Sequence, residues 1–379
     1  MKTRAAVLYG AHQKWQVREV DLDDPRRQEI LVKTHAAGLC HSDEHMVTGD
    51  LGSADAPGGS SLLPVIGGHE GSGVVIEVGP EVTELEVGDH VAVSFVPACG
   101  KCRWCASGQQ NLCDLGAGTL GPGMVTDGRS AHRGPDGETI NAMAKLGTFA
   151  EHMLLSQDSV IKVDKDVPLM AAALVSCGVA TGYGSAVNRA EVSAGDTVVV
   201  VGCGGIGSNA LQGAKAAGAK TIVAVDPAEF KREKASEFGA THTSASMEEA
   251  MELVGGLTHG VMADSVILSP GVVTGDLIAP AQFLARKGGT IVVTGLAPMT
   301  QMDVQLNLFE FAMMNKQLRG TIYGSDSPRR AVPHLLSMYQ AGQLKLDELV
   351  TRTYSLDEIN EGYQDMRDDK NIRGVIVFD

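Results

Sequence analysis

From Thr197 to Asp226 the chain reads TVVVVGCGGIGSNALQGAKAAGAKTIVAVD, and no other segment limits its fold as tightly. Thr197–Val201 is an unbroken apolar run, the pattern of a strand buried on both faces. Gly202, Cys203, Gly204, Gly205, Ile206 and Gly207 follow as G-x-G-x-x-G, and Ala210, Leu211, Ala214 and Ala217 then repeat at helical spacing. A second strand, Thr221–Val225, closes on Asp226. Strand, glycine turn, helix and strand in this order predict a βαβ unit of an open parallel sheet, in which the turn approaches a pyrophosphate and the helix N-terminus faces it. Gly202, Gly204, Gly205, Ile206 and Gly207 are therefore candidate cofactor contacts. Asp226 is placed to accept from an adenosine 2′-hydroxyl and to repel a 2′-phosphate, so NAD is expected over NADP. Lys231, on the following helix, is expected to brace the same ribose, and Cys203 to fill space in the turn. GGTIVVTG reads as a later buried parallel strand, and Thr294, Gly295 and Leu296 at its end are assigned to the cofactor.

The N-terminal third has a different texture. EILVKTHAAGLC, GSGVVIEVGP and VGDHVAVSFVP are short β-branched runs bounded by Gly, Pro or Asp. Gly52–Ser61 (GSADAPGGSS) reads as a surface loop, and Gly116–Lys145 as a long excursion with little regular structure. After Gly320 the pattern is mixed and ends in the strand-like VIVFD. Within the first part, CGKCRWCASGQQNLC packs Cys99, Cys102, Cys105 and Cys113 into fifteen residues. Thiolates this close converge on one soft tetrahedral cation, and four sulfurs leave no position for substrate, so a structural zinc is expected. An iron–sulfur cluster is the open rival. Two short disulfides would need an oxidising compartment, and MKTRAAVLYG does not read as a signal peptide. A cytoplasmic protein is expected.

With 379 residues, 44% of them hydrophobic and 20% charged, two domains with sizeable cores are expected. The net charge of −15, with no basic block, argues against a nucleic-acid partner. No apolar stretch approaches the roughly 20 residues that span a bilayer, so no membrane partner is expected.

GLCHSDEH, GGHEGSGVV, the cysteine cluster, SCGVATGYGSAV, the glycine turn and the closing IRGVIVF form an ordered set. In order and register the chain resembles the zinc-containing, medium-chain alcohol dehydrogenases along its whole length. GLCHSDEHMVTGD, PACGKCRWC and NLCDLGAGTL further resemble an actinobacterial nicotinoprotein branch, assayed with nitrosodimethylaniline and linked to the redox peptide cofactor mycofactocin. The Gly52–Ser61 loop is longer than usual for that branch. The resemblance implies an α/β chain with a GroES-like, β-rich catalytic domain over residues 1–178 that carries both zinc sites. It further implies a doubly wound Rossmann coenzyme domain over 179–320 and a return to the catalytic domain over 321–379.

By the same resemblance Cys40, His69 and Cys177 hold a catalytic zinc, so that two Zn2+ and one NAD are expected per chain. Spacing alone does not link these three residues. Asp43 is expected to accept from the far nitrogen of His69. Glu70 either approaches the metal transiently or balances nearby positive charge. Ser42 is expected to take the alcohol proton and pass it through the nicotinamide ribose to His45 at the surface, while hydride goes to nicotinamide. His41 and Arg373 are expected at the pyrophosphate and Thr181 against nicotinamide. The substrate implied is a small alcohol or aldehyde, with a redox carrier reoxidising retained NAD and a homo-oligomer as the assembly. The excursion Gly116–Lys145 and the segment Ser269–Gly275 are candidate covers for that cofactor. The alternatives are a conventional dehydrogenase that exchanges NAD, including a formaldehyde dehydrogenase acting on a thiol adduct, and a non-catalytic dinucleotide-binding relative. The last should have lost ligands or relay residues, whereas Cys40, Ser42, His45, His69 and Cys177 are all kept.

Overall fold

In the computed structural model, which describes residues 1–51 and 62–379, six parallel strands run His242–Ser244, Thr221–Val225, Thr197–Val201, Ala263–Leu268, Ala285–Val293 and Gln317–Gly320 across one sheet. Numbered by sequence, that order is 3-2-1-4-5-6, the doubly wound arrangement in which strand order reverses beside the first strand. Val198, Val199 and Val200 have no exposed surface, because helices cover both faces of the sheet. The helix Gly205–Ala216 leaves the first strand through the glycine turn and packs Ala210, Leu211 and Ala214 against it.

The N-terminal part is built from two antiparallel-rich sheets among the described residues. One closes as a small barrel of Lys2–Leu8, Gln16–Leu22, His132–Arg133, Thr139–Ala142 and Val65–Ile66. The other is ordered Val160–Val163, His90–Val93, Gly71–Val78, Glu29–Gly38, Arg373–Val377 and Val350–Tyr354, with His152–Ser156 also pairing to Glu29–Gly38. The last two sequence strands of the chain thus return to the N-terminal sheet. Arg373–Val377 pairs antiparallel to Glu29–Gly38, which places Arg373 beside the first loops of the chain. The architecture is a GroES-like domain joined to a Rossmann domain. No single helix among the described residues is long and apolar enough to cross a membrane; the apolar bent pair Leu169–Val175 and Gly178–Arg189 lies in the core.

Gly52–Ser61 lies outside the described residues. The excursion Gly116–Lys145 has little regular structure, as its turn-rich sequence suggests: apart from short 3-10 turns it holds only the strands His132–Arg133 and Thr139–Ala142. It contributes two strands to the barrel, and Arg129 pins it through Glu29 at 2.8 Å and Asp23 at 3.1 Å. Burial alone would raise the Glu29 carboxyl, but bonds from Arg129 and Thr126 outweigh it and hold the pKa below its usual value. Lys145 adds three bonds, to the carbonyls of Gly121, Pro122 and Gly123 at 3.4, 3.0 and 2.8 Å. Charge-assisted bonds to several acceptors order a segment whose own periodicity is weak.

Candidate active site and dinucleotide cleft

Three boundaries between elements meet where the two domains face each other. Cys40 precedes the helix His41–Val47, His69 lies just before the strand Gly71–Val78, and Cys177 precedes the helix Gly178–Gly184. One ligand atom from each lies within 4.8 Å of the others, and all three residues are buried. Cys177 Sγ stands 3.3 Å from His69 Nε2. Two sulfurs and one imidazole nitrogen at these separations fit a soft tetrahedral cation with one position left for an exchangeable ligand. All seven cysteines are free, so no disulfide competes for the sulfurs.

The electrostatics point the same way. The adjacent Cys177 draws the Cys40 thiol well below its usual pKa despite burial, while the Cys40 sulfur and burial push Cys177 up. Burial works against a charged His69 ring, but Asp43 and Cys40 hold it well above the usual histidine value. Two thiols and an imidazole this close are donors from which a divalent cation displaces protons on binding. Asp43 accepts from the Gly68 N–H at 2.6 Å through one oxygen. Its other oxygen stands 3.1 Å from His69 Nδ1, near but not well aligned for a hydrogen bond. Ser42 Oγ lies 3.7 Å from Cys40 Sγ. Phe95 meets the His69 ring edge-on, with centroids 5.7 Å apart, and forms an apolar wall there.

Glu70 and Arg373 form a buried ion pair behind the ligands, and Glu70 also accepts from the Gly178 N–H at 3.0 Å. Burial raises the Glu70 carboxyl, and the guanidinium offsets part of the rise. Arg373 continues beneath the glycine turn, where a Cβ on Gly205 would come within 2.3 Å of its Cδ. One arginine thus touches both the metal-ligand shell and the dinucleotide turn.

The second cluster is local. Cys99, Cys102, Cys105 and Cys113 bring their sulfurs within 4.8 Å of one another. The Cys102 N–H donates to Cys99 Sγ at 3.4 Å and the Cys99 N–H to Cys113 Sγ at 3.5 Å. Backbone N–H groups of Asp114 and Cys105 draw the Cys102 thiol down to about 6, whereas burial and the Cys102 sulfur push Cys105 up to about 12 and burial raises Cys113. The donor set fits a four-sulfur structural zinc.

At the glycine turn, Gly202 has φ +88°, and a Cβ there would meet the Pro270 backbone at 2.5 Å. A Cβ on Gly207 would come within 1.8 Å of the Gly202 carbonyl oxygen, so glycine lets the helix start against the strand. Gly204, in contrast, opens onto free space, as a pyrophosphate cradle requires. Asp226 is buried and accepts from the Cys203 N–H at 2.8 Å and the Ala228 N–H at 2.9 Å. It braces the turn as well as closing the second strand. Lys231 is turned towards the C-terminal segment, where it pairs with Asp369. Thr181 and Thr294 approach through Ser185, whose Oγ donates to the Thr181 carbonyl at 2.7 Å and accepts from Thr294 Oγ1 at 3.0 Å. The N–H groups of Thr294 and Gly295 both donate to Leu268 O, at 2.9 and 3.0 Å, and fix the loop that carries Leu296.

His45 departs from expectation. The sequence places it at the surface, but it is only 2% exposed. Its Nδ1 is 2.9 Å from Asp50 Oδ2 and its Nε2 is 2.9 Å from the Gly271 carbonyl oxygen. The loop after strand Ala263–Leu268 folds over it, a long-range contact that no local pattern encodes. His41 lies under the same loop: a Cβ on Gly271 would meet the His41 ring at 2.4 Å. Burial lowers the His41 pKa despite the nearby Cys40 sulfur.

A family profile described as alcohol dehydrogenase GroES-like domain matches residues 26–165, and one described as zinc-binding dehydrogenase matches residues 205–341. The chain belongs to the zinc-binding alcohol dehydrogenases. It is 51% identical over 377 residues to the NDMA-dependent alcohol dehydrogenase of Amycolatopsis methanolica, covering 100% of this chain and 99% of that relative. It is 46% identical over 378 residues to alcohol dehydrogenase B of Mycobacterium tuberculosis, with the same shares covered. Among solved structures, benzyl alcohol dehydrogenase from Acinetobacter calcoaceticus superposes with a TM-score of 0.89 at 30% identity, over the full length of both chains. The actinobacterial branch resemblance in the sequence is therefore upheld, and this alcohol dehydrogenase is a zinc-dependent, NAD-linked alcohol and aldehyde oxidoreductase. Sequence reasoning missed Asp50 and Phe95; it singled out the segment Ser269–Gly275, which holds Gly271, but not the contact of Gly271 with His45. Their roles rest on contacts across the cleft or onto a ligand ring, and MVTGD, SPGVV and VSFVP carry no local mark of them.

Proposed function

We propose that this alcohol dehydrogenase oxidises alcohols to aldehydes or ketones while keeping NAD bound through turnover, the reduced dinucleotide being reoxidised in place by an external redox carrier. The observation that carries this reading is the full-length 51% identity to a relative named for its dependence on NDMA. The loop packed onto His41 and His45 lends it physical support, because a cleft closed over its dinucleotide slows release.

A zinc ion held by Cys40, His69 and Cys177 would supply Lewis-acid polarisation of the substrate oxygen. The protein's own groups do the rest. Asp43 orients His69 and selects the tautomer that presents Nε2 to the ligand site. The Glu70–Arg373 pair balances charge behind the sulfurs and ties their shell to the glycine turn. Ser42, beside Cys40, takes the hydroxyl proton, and His45 receives it further along and is steadied by Asp50. Phe95 and the surrounding apolar side chains exclude water from the reacting carbon. Gly202, Gly204, Gly205, Ile206 and Gly207 would hold the pyrophosphate of NAD together with His41 and Arg373. Asp226 would select NAD by its carboxylate, while Lys231 is engaged with Asp369. Thr181, Thr294, Gly295 and Leu296 would hold the nicotinamide end.

The assembly we infer is a homo-oligomer in the cytoplasm. Leu308, Phe309 and Met313 are 72%, 76% and 66% exposed on one short helix, directly before Gln317–Gly320 at the edge of the parallel sheet. Apolar side chains beside an unpaired edge favour pairing with a second copy over exposure to water.

The test is alcohol oxidation by gel-filtered protein, once with added NAD alone and once with a nitrosoaniline acceptor alone. Turnover only with the acceptor, together with NAD(H) released on denaturation, is the expected result. Vigorous NADH production from added NAD, with no dinucleotide in the purified protein, would leave a conventional exchanging dehydrogenase.

A further inference from the structure

The dinucleotide cleft lies at the carboxyl ends of the parallel strands, and two loops close its mouth. One follows Ala263–Leu268 and carries Gly271 and Val273; the other follows Ala285–Val293 and carries Leu296 and Met299. They are joined to each other, since the Val273 N–H donates to the Leu296 carbonyl at 2.7 Å. A dinucleotide held in this cleft would lie beneath loops that also contact the catalytic domain.

Both loops meet the catalytic domain through the same residue. Met299 N–H donates to the Asp50 carbonyl at 2.8 Å, and His45, held by the Asp50 carboxylate at 2.9 Å, reaches the Gly271 carbonyl at 2.9 Å. Thr48 Oγ1 donates to the same carboxylate oxygen at 2.7 Å, which fixes the side chain in this orientation. Burial would raise the Asp50 carboxyl, and the bonds from Thr48 and His45 more than offset it. The anchor itself is firm. The helix that carries His45 is fastened to the C-terminal segment by Glu44, which takes two bonds from Arg367 at 2.7 and 2.9 Å.

We propose that Asp50 is a positioning residue that clasps the two coenzyme-domain loops onto the catalytic domain and thereby sets the residence time of the dinucleotide. It acts through the backbone on one loop and through His45 on the other, and touches neither substrate nor the reacting atoms. The proposal deepens the reading of a retained cofactor and rests on it for its biological sense, but it makes a separate claim about relative rates.

The experiment uses the full-length, zinc-loaded protein and NADH as the probe. Bound NADH is displaced by excess NAD in a stopped-flow fluorimeter, for the natural chain, Asp50→Ala and Asp50→Asn. Loss of a charge-assisted bond predicts a dissociation rate raised about ten- to hundredfold in Asp50→Ala. Association should stay within about twofold, with zinc content and melting temperature unchanged. Both variants keep the backbone bond to Met299 and so test the His45 arm; Asp50→Asn, which also keeps a side-chain acceptor oxygen, should show a smaller rise of about threefold or more. If Asp50→Ala does not fold, the Asn variant decides alone. A dissociation rate unchanged in the variant that folds would overturn the clasp. So would a rise matched by lost zinc or a lowered melting temperature, because general loosening would then account for it. If the natural chain itself sheds NADH on gel filtration, the retention reading falls, while the ratio between variant and natural rates still judges the clasp.

Discussion

Cys99, Cys102, Cys105 and Cys113 come together over fifteen residues of chain, whereas Cys40, His69 and Cys177 are drawn from three separate elements. The local set is half-exposed at two of its four members; the distributed set is buried at all three. Short loops close at little entropic cost, so the local set needs a cation more than it needs the rest of the fold. The distributed set forms only after the sheets and helices that hold it are in place. Its neighbours are correspondingly elaborate: Asp43 beside His69, Arg373 on Glu70 and Phe95 against the ligand ring. A staple and a reaction site can therefore share the same thiol chemistry and differ in what depends on them.

The largest effect expected from this contrast is at Cys40. Cys40→Ser should cut turnover by at least about a thousandfold, because several kcal/mol of substrate polarisation depend on the ligand set. Zinc should fall towards one per chain, with circular dichroism and melting little changed. Near-normal activity in a protein that has lost one zinc would dismantle the assignment.

Cys102→Ser should do the reverse. The lobe loses its cation, and melting falls by roughly several degrees, since structural zinc contributes directly to folding free energy. Residual activity per folded molecule should stay within about tenfold of the natural chain. Calorimetry combined with metal analysis reads both, and unchanged melting with a lost zinc would show that the lobe is not a staple.

A milder break is Asp43→Asn, which keeps the shape beside His69 but removes the charge that favours the required tautomer. Metal affinity or turnover should drop about ten- to hundredfold, the usual cost of losing a partner of a ligating histidine. Competition with a chelator measures the first and steady-state kinetics the second. An unaltered variant would mean that the imperfect alignment at 3.1 Å persists when zinc is bound.

The smallest effect belongs to the coenzyme unit. Asp226→Ala removes a ribose acceptor and also two bonds to the backbone N–H groups of Cys203 and Ala228. NAD affinity should weaken about tenfold, and the preference over NADP should narrow, as equilibrium titration with each reduced dinucleotide would show. An unchanged preference would leave Asp226 as a brace for the turn alone.

Much of the fold was legible because its signals are local. The apolar run Thr197–Val201, the glycines after it and the periodic alanines specify strand, turn and helix within one stretch of chain. The four-cysteine lobe was legible for the same reason. Cys40, His69 and Cys177 were joined only through family resemblance, since each alone reads as an ordinary buried residue. Gly116–Lys145 read correctly as a segment with little regular structure, but its anchoring by Arg129 and Lys145 rests on bonds to residues distant in sequence that periodicity does not show.

The sequence by itself determined the βαβ unit, the expected preference for NAD and the metal-binding lobe, all of which depend on residues close together along the backbone. The tertiary structure alone decided that His45 is buried under Gly271, that Arg373 joins the metal-ligand shell to the glycine turn, and that Asp50 faces both coenzyme loops. Those contacts pair groups from opposite domains or opposite ends of the chain. Their geometry is set by how packed sheets and loops meet in space, and side-chain periodicity carries no information about that meeting.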